Sequence, residues 1–195
     1  TLGNDSIYIY SNDITGTVMN FTNLTSTGDR NYGIYSAGQV TNNGNMNLSS
    51  GVGNVGIYSI SGGTATNNAT IDLGTTNVVD KTYSIGMAAG YSEETPLGSG
   101  NKVLKATGHV INRGTIKVTE ENSIGMYATG SGSIAENDVN GVIELSGDKR
   151  NIGIYVEEGA TVINRGTIKT VGTGNKKQIG IAVIRGILDN RGIIN

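Results

Sequence analysis

Three pairs of neighbouring glutamates and one histidine are the residues of this chain that could do acid–base or metal chemistry. The pairs are Glu93/Glu94, Glu120/Glu121 and Glu157/Glu158, and paired carboxylates could line a calcium site of the kind that polysaccharide lyases use. The pairs are expected in loops of different structural units, where adjacent side chains usually point apart. His109 is alone, so it cannot build a zinc site of the usual composition, and no nucleophile motif accompanies it. We therefore predict no catalytic, metal-binding or cofactor-binding residues, and no cofactor.

The composition favours strands and excludes several classes of partner. Glycine accounts for 31 of the 195 residues and proline for one, while Ile, Val, Thr and Tyr recur in the regular segments. The formal net charge of -2 provides no basic surface, so we expect no nucleic-acid partner. No apolar run reaches the roughly 18 residues of a membrane-spanning helix, which predicts no membrane insertion by this segment. The chain has no cysteine, so disulfides are excluded.

The glutamate pairs and the histidine lie within a repeated sequence, and the structure of that repeat must position them. The octamer VINRGTIK occurs twice, at Val110–Lys117 and at Val162–Lys169. A second motif alternates with it and consists of an apolar residue, Gly, an apolar residue and Tyr or Ala. Its copies are Tyr32–Tyr35, Val55–Tyr58, Ile85–Ala88, Ile124–Tyr127, Ile152–Tyr155 and Ile179–Ala182, with Ile7–Tyr10 as a variant copy. A period of this kind is typical of solenoids.

The octamer is one copy of a motif anchored by an asparagine. Apolar residues lie two positions before and four positions after each asparagine, except in the fifth copy, where a two-residue insertion delays Ile143. The anchors are Asn20, Asn42, Asn67, Asn112, Asn137, Asn164 and Asn190. Each anchor lies two positions after an apolar residue, so the two side chains share one face of the strand. The asparagine should therefore point inward, at a corner between two strands. A buried amide must be hydrogen-bonded, and we predict an asparagine ladder.

Alternation within the motifs predicts the fold. In Ile152–Tyr155 the two isoleucines are expected to share the inner face, with Gly153 and Tyr155 on the outer face. One unit cannot bury its apolar face alone, so equivalent strands must pair between stacked units. The predicted fold is all-β: a right-handed parallel β-helix (solenoid) of about seven coils of roughly 25 residues. An antiparallel β-sandwich is the alternative.

Two columns of side chains are expected on the outer surface. The tyrosine column comprises Tyr10, Tyr35, Tyr58, Tyr127 and Tyr155, and Ala88 and Ala182 interrupt it. Cross-strand packing is its favoured interpretation, and an aromatic strip that holds a sugar or a partner protein is the alternative. The charged column comprises Arg113, Asp138, Arg165 and Arg191, for which we predict surface ion pairs.

The longest repeat contains an insertion, at about residues 90–108, that should protrude from the coil. Insertions in solenoids often bind partners, although neutral insertions are also tolerated. The candidate partner-binding residues are Tyr91, Glu93, Glu94, Lys102 and Lys105.

The segments IGIYVEEGATVINRGTIK (Ile152–Lys169) and VGIYSISGGTATNNATIDL (Val55–Leu73) resemble passenger-domain repeats of large autotransporter adhesins, which use type V secretion. The resemblance covers essentially the whole chain and is greatest to fusobacterial outer-membrane adhesins. It implies that residues 1–195 are one β-helical segment of a longer passenger domain at the cell surface. It also implies adherence, through the full-length protein, to a protein or glycan of host cells or other bacteria.

Two other functions remain open from the residues alone. A β-helix polysaccharide lyase or glycosidase would act on a glycan, and a pure stalk would have no ligand of its own. The adhesin segment, without enzyme activity and monomeric as a fragment, is the favoured interpretation.

Overall fold

The computed structural model describes residues 3–147, 150–172 and 177–195 of the chain. Those residues form 23 strands and no helix, so none of their segments is a helix that could cross a membrane. The strands in chain order are β1 (Ile7–Ser11), β2 (Thr17–Asn20), β3 (Leu24–Thr25), β4 (Tyr32–Ser36), β5 (Gln39–Asn42), β6 (Met46–Val52), β7 (Val55–Ser59), β8 (Thr64–Asn67), β9 (Thr70–Thr75), β10 (Ile85–Ala89), β11 (Tyr91–Glu94), β12 (Lys102–Ala106), β13 (His109–Asn112), β14 (Thr115–Val118), β15 (Ile124–Thr129), β16 (Ile134–Asn137), β17 (Val142–Leu145), β18 (Ile152–Glu157), β19 (Thr161–Asn164), β20 (Thr167–Thr170), β21 (Ile179–Ile184), β22 (Ile187–Asn190) and β23 (Ile193–Ile194).

Three parallel sheets of seven strands each enclose one core. The first sheet has the order β1-β4-β7-β10-β15-β18-β21, the second β2-β5-β8-β13-β16-β19-β22, and the third β3-β6-β9-β14-β17-β20-β23. Each coil therefore contributes one strand to each sheet. The prediction of an all-β parallel solenoid of seven coils is confirmed, and the antiparallel sandwich is wrong.

Equivalent residues of successive coils lie directly above one another. Ile116 of β14 pairs in register with Ile71 below and Ile143 above, and all three are fully buried. The register also places Asn137 opposite Asn164, so the two extra residues of the fifth coil lie in the turn between β16 and β17. Burial of each such isoleucine stabilises the fold by about 1.5–3 kcal/mol, which makes the stacked apolar columns the main source of stability.

The alternation predicted for the first strand of each coil is wrong at its first two residues. Ile154 is buried and Tyr155 faces outward, as expected, but Gly153 faces the core, because a Cβ there would lie 2.9 Å from Ile168 Cγ2. Ile152 lies instead on the outer side with Tyr155. The first coil has the same arrangement, since Tyr8, at the glycine position, packs against the core. The outward position of the first apolar residue therefore does not require glycine. In the other coils the glycine allows close approach to the next coil, since a Cβ at Gly153 would clash with the Gly180 carbonyl oxygen.

The anchoring asparagines form one continuous ladder at the corner between the second and third sheets. Each Nδ2 donates to the Oδ1 of the next anchor over 2.8–3.1 Å, from Asn20 through Asn42, Asn67, Asn112, Asn137 and Asn164 to Asn190. All but Asn190 are buried. Each coil therefore donates one side-chain amide hydrogen bond to the next coil.

A second polar corner precedes the first sheet. Its buried residues stand directly before the apolar-Gly motif and are Asn31, Asn54, Ser84, Ser123 and Asn151. Asn54 Oδ1 accepts from the backbone N–H of Asn31 at 2.8 Å, and Asn151 Oδ1 accepts from that of Ser123 at 2.9 Å. This corner was not predicted, although an Asn or Ser recurs directly before the apolar-Gly motif and could have indicated it.

Candidate functional site

The outer face of the first sheet forms an apolar groove, which we call the tyrosine groove. Its floor consists of two adjacent columns. One contains the first residue of each strand, such as Ile85, Ile124 and Ile152, and the other is the tyrosine column. The outward position of those first residues supplies half of the floor.

Neighbouring tyrosine rings of the column contact one another except where alanine interrupts them. Tyr10 and Tyr35 are stacked with ring centroids 5.7 Å apart, whereas Tyr35 and Tyr58 meet edge to face at 5.3 Å with an interplanar angle of 86°. Above the interruption, Tyr127 and Tyr155 are stacked at 5.8 Å with a 14° interplanar angle. Ala88 pairs in register with Tyr58 below and Tyr127 above, so it leaves one rung of the column without a ring.

A turn after β9 forms one wall of the groove. Asn77 and Thr82 exchange two backbone hydrogen bonds of 3.1 and 2.9 Å, and the Asn77 side chain accepts from the Val79 N–H at 3.0 Å. Lys81 adopts a left-handed conformation with φ of 55°. This compact turn places Lys81 and Tyr83 over the groove.

The insertion forms the opposite wall. Strands β11 and β12 pair as an antiparallel hairpin, and Leu104 of β12 packs over Gly130, where a Cβ would clash with the Leu104 Cδ1. Tyr58 Oη donates to the Gly90 carbonyl at the base of the hairpin over 2.9 Å. The hairpin and the turn after β9 are the two large departures from the repeat around β10, and both border the rung that contains Ala88.

Two adjoining clefts lie in the groove and share the residues around Ala88. The first has a volume of about 570 Å³ and the second about 640 Å³. Both fall in the range of about 300–1,000 Å³ that is usual for ligand sites. The residues common to both clefts are Tyr58, Lys81, Tyr83, Ile85 and Tyr127.

Glu157 is the buried charge of the groove. Its carboxylate pairs with Lys102 of the hairpin and accepts hydrogen bonds from Tyr127 Oη at 2.7 Å and Tyr155 Oη at 3.0 Å. Burial raises the pKa of Glu157, but the hydrogen bonds from Lys102 and Tyr127 outweigh burial and hold the pKa below its usual value. Burial, followed by the charge of Glu157, raises the pKa of Tyr155 to about 12. Both tyrosines are therefore neutral donors at neutral pH, and the charged Lys102–Glu157 pair ties the hairpin to the sheet.

The five candidate residues of the insertion do not act as one cluster. Tyr91 and Lys102 line the second cleft. Lys105 lies 3.6 Å from Glu93 and borders a separate shallow cleft, whereas Glu93 accepts a hydrogen bond from Tyr91 Oη at 2.7 Å. Glu94 accepts from the backbone N–H of Gly98 at 3.0 Å and from that of Gly100, which together hold its pKa below the usual value and stabilise the hairpin loop.

Three residues of the groove, Lys81, Tyr83 and Glu157, were not predicted as parts of one site. Lys81 and Tyr83 lie in the turn after β9, and Glu157, which the sequence singled out only as one of a glutamate pair, ends β18 in a different coil. The expected loop position of the glutamate pairs is wrong for Glu93 and Glu94, which lie in β11, and for Glu157, which ends β18. The length of the third repeat, which contains residues 76–84, was the one signal available in the sequence.

Ion pairs outside the groove differ from the predicted charged column. Arg113 Nε lies 2.8 Å from Asp138, as expected, and this contact holds the pKa of Asp138 below its usual value. Arg165, however, pairs with Glu136, and Arg191 pairs with Asp189 at 2.9 Å. The column is therefore a set of separate surface pairs, each worth about 0–1 kcal/mol.

Metal ligands are not grouped in the part of the chain that the structure describes. No cluster of three or more His, Asp or Glu side chains there could hold a metal ion. His109 Nε2 lies 3.2 Å from Glu136 Oε2, and both side chains face outward on the second sheet, away from the groove. The site therefore offers aromatic surface, one buried ion pair and exposed polar groups.

Comparison with curated proteins and with solved structures gave no match to this chain. One family matches residues 3–165, and it is described as the BigA third pectate lyase-like domain, BigA being an autotransporter-like adhesin. The passenger-domain resemblance is thereby confirmed, whereas its fusobacterial type stays a prediction. Because the match covers most of the chain, the chain belongs to the family of the BigA third pectate lyase-like domain.

Proposed function

We propose that this chain is a surface-displayed passenger segment of an autotransporter adhesin, and that the tyrosine groove is its binding region for adherence. One observation carries the proposal: the two large departures from the repeat, residues 76–84 and 91–106, border the same groove at the same coil. Neutral insertions would be expected to lie on unrelated faces of a solenoid. The partner is a protein or glycan on host cells or on other bacteria, met outside the outer membrane.

The chemistry of the groove supports binding. Elsewhere the outer faces of the coils carry closely spaced Thr, Lys, Glu and Asp side chains, and water solvates these polar side chains well. The groove instead presents tyrosine rings and aliphatic side chains over two clefts of ligand size. Tyrosine provides a rigid, amphipathic contact surface at low conformational cost, which favours it at binding interfaces.

Deletion of the hairpin tests the proposal. A non-adherent bacterium displays either the unchanged protein or a variant that lacks residues 91–106, and adherence to host cells and partner bacteria is counted. The deletion leaves Gly90, Thr107 and Gly108 between β10 and β13, which lies between the two residues that separate β4 from β5 and the four that separate β7 from β8. We expect the coils to remain folded, as checked by circular dichroism on purified protein, and adherence to fall at least about tenfold.

A matched control removes the other insertion, Val139–Asn140, which lies between the second and third sheets and away from the groove. Adherence should then stay within twofold of the unchanged protein, as expected for loss of an exposed turn. Unchanged adherence after the hairpin deletion would instead favour a stalk with no ligand in this segment.

A β-helix lyase or glycosidase is the competing function. We favour binding without turnover because Glu157 already accepts hydrogen bonds from Lys102, Tyr127 and Tyr155, and Glu94 from two backbone N–H groups. Carboxylates held ionised in this way are poor general acids near neutral pH. Incubation of the purified chain with uronate-containing and neutral glycans, with and without calcium, measures this directly, and robust cleavage would overturn the adhesin proposal.

A further inference from the structure

We propose that Asn23 and Asn47, on the outer side of the third sheet, are acceptors for N-linked glycosylation. The modification joins C1 of a sugar to the side-chain nitrogen Nδ2 of each asparagine. Asn23 directly precedes β3 and Asn47 lies in β6, whereas the tyrosine groove lies on the first sheet. The inference therefore goes beyond the proposed binding role and does not depend on it.

The motif that an N-glycosyltransferase recognises is Asn, any residue except Pro, and then Ser or Thr. The chain contains this motif five times, at Asn4, Asn20, Asn23, Asn47 and Asn68. All five copies lie in the first 70 positions, although 11 of the 23 asparagines come later in the chain. The motif is thus concentrated in the first three coils.

Exposure and hydrogen bonding make the amides of Asn23 and Asn47 available. Both residues are exposed, and Asn23 Oδ1 accepts from the Asn45 N–H at 2.9 Å. Asn47 Oδ1 accepts from the Ser49 N–H at 3.2 Å and from Ser49 Oγ at 2.7 Å, so the hydroxyl that the enzyme recognises lies beside the amide. Neither Nδ2, the atom that receives the sugar, has a hydrogen-bond partner among the described residues.

The other three copies of the motif lack this combination. Asn20 is buried, and its Nδ2 belongs to the asparagine ladder. Asn68 is exposed, but its Nδ2 donates to Asn43 Oδ1 at 2.9 Å. Asn4 is also exposed, but the hydroxyl of its motif, that of Ser6, donates to the Asn4 backbone carbonyl at 3.1 Å and not to the side-chain amide. The structure therefore selects two of the five copies.

The outer face of the third sheet lacks charge where the two sites lie. Register pairing places these residues in one outward column: Thr25, Asn47, Asp72, Lys117, Glu144 and Lys169. Of the 14 basic and 16 acidic residues of the chain, only Asp5, Asp13, Asp29 and Arg30 lie in the first 70 positions. A glycan is bulky and solubilising, so it would solvate the part of the sheet that has no charged side chains.

The reaction needs a separate glycosyltransferase and a sugar activated by a phosphate ester at C1. The C1–O bond to the phosphate breaks, and the phosphate leaves with the bonding electron pair. The C1–Nδ2 bond forms, and the proton lost from the amide nitrogen passes to a base of the enzyme. This chain contributes the acceptor amide and the hydroxyl that marks it.

Peptide mass spectrometry of the full-length protein, isolated from the cells that produce it, tests the inference. Fragmentation by electron transfer keeps a sugar on its asparagine and so identifies the site. We expect sugar on Asn23 and Asn47 and none on Asn45, which is exposed beside Asn23 but has no hydroxyl residue two positions later. Absence of sugar from Asn23 or Asn47 in fully covered peptides, or sugar on Asn45, would overturn the inference.

Glycosylation of the purified, folded 195-residue chain tests whether burial selects the sites. An N-glycosyltransferase of this sequence specificity is supplied with its nucleotide-activated hexose. We expect modification of Asn23 and Asn47 but not of Asn20, whereas a synthetic peptide of residues 17–26, which cannot bury Asn20, should be modified at both of its motifs. Equal modification of Asn20 and Asn23 in the folded chain would show that the structure does not select the sites.

Matched variants test the role of the hydroxyl in the same reaction. Thr25→Val should abolish modification of Asn23 and leave that of Asn47, whereas Thr25→Ser should retain both. Asn47→Thr removes one site and gives the motif to Asn45, so the sugar should move to Asn45. Modification of Asn23 in folded Thr25→Val, or an unmodified Asn45 in folded Asn47→Thr, would contradict the assignment.

Discussion

At the scale of the residue, Asn112 links three coils through one amide. Its Nδ2 donates to Asn137 Oδ1 at 3.0 Å, and its Oδ1 accepts from Asn67 Nδ2 at 3.1 Å. Asn112→Ala would remove both bonds and leave buried amide groups of its neighbours without these partners, so we expect a loss of about 2–4 kcal/mol in the free energy of unfolding. Urea denaturation followed by circular dichroism gives this value.

Asn190 provides the matched control for that substitution. It accepts from Asn164 Nδ2 at 2.8 Å, but it is exposed, so water can replace the lost partner. Asn190→Ala should therefore cost less than about 1 kcal/mol. Equal losses for the two variants would mean that the ladder does not stabilise the coils through buried hydrogen bonds.

At the scale of the element, the glycine of the first strand allows that strand to pass close to the next coil. A Cβ at Gly125 would lie 2.5 Å from the Gly153 carbonyl oxygen and 3.0 Å from Ile143 Cγ2. Gly125→Ala must push backbone against backbone, and we expect a loss of about 2–3 kcal/mol in thermal or urea unfolding. Gly3→Ala, where no atom lies within 4 Å of the added carbon, should change stability by less than about 0.5 kcal/mol.

The first strand of each coil also shows which features of the structure can be predicted from the sequence and which cannot. The repeat, the three strands of each coil and the inward asparagines follow from spacing and parity, because stacked coils repeat the same local rules. The groove does not follow, because strict alternation assigns Ile152 to the core, whereas the strand departs from alternation at Gly153 and places Ile152 on the outer side. The convergence of Tyr83, Lys102 and Glu157 is also a long-range result, since coils far apart in sequence bring them together.

At the scale of the whole molecule, the chain is a stack in which each coil contacts its immediate neighbours. The Asn ladder, the isoleucine columns and the tyrosine column all repeat with the coil, so one coil can in principle be removed if its neighbours meet in register. The second coil is the most suitable, because neither the hairpin nor the turn after β9 belongs to it and its strands are fully described.

Deletion of Gly33–Val55 should therefore give a folded protein of six coils. The junction joins Tyr32 to Gly56, so the first strand keeps its motif, Asn20 stacks on Asn67, and Tyr10 stacks on Tyr58. We expect a β-sheet circular dichroism spectrum and cooperative unfolding. Deletion of Gly33–Asn54 keeps one residue more. Either the strand then shifts by one position, which reverses its inner and outer faces, or Tyr32 takes the place of the buried Asn54 before the strand. That variant should be clearly less stable, and equal stability of the two deletions would show that register between coils does not hold the stack together.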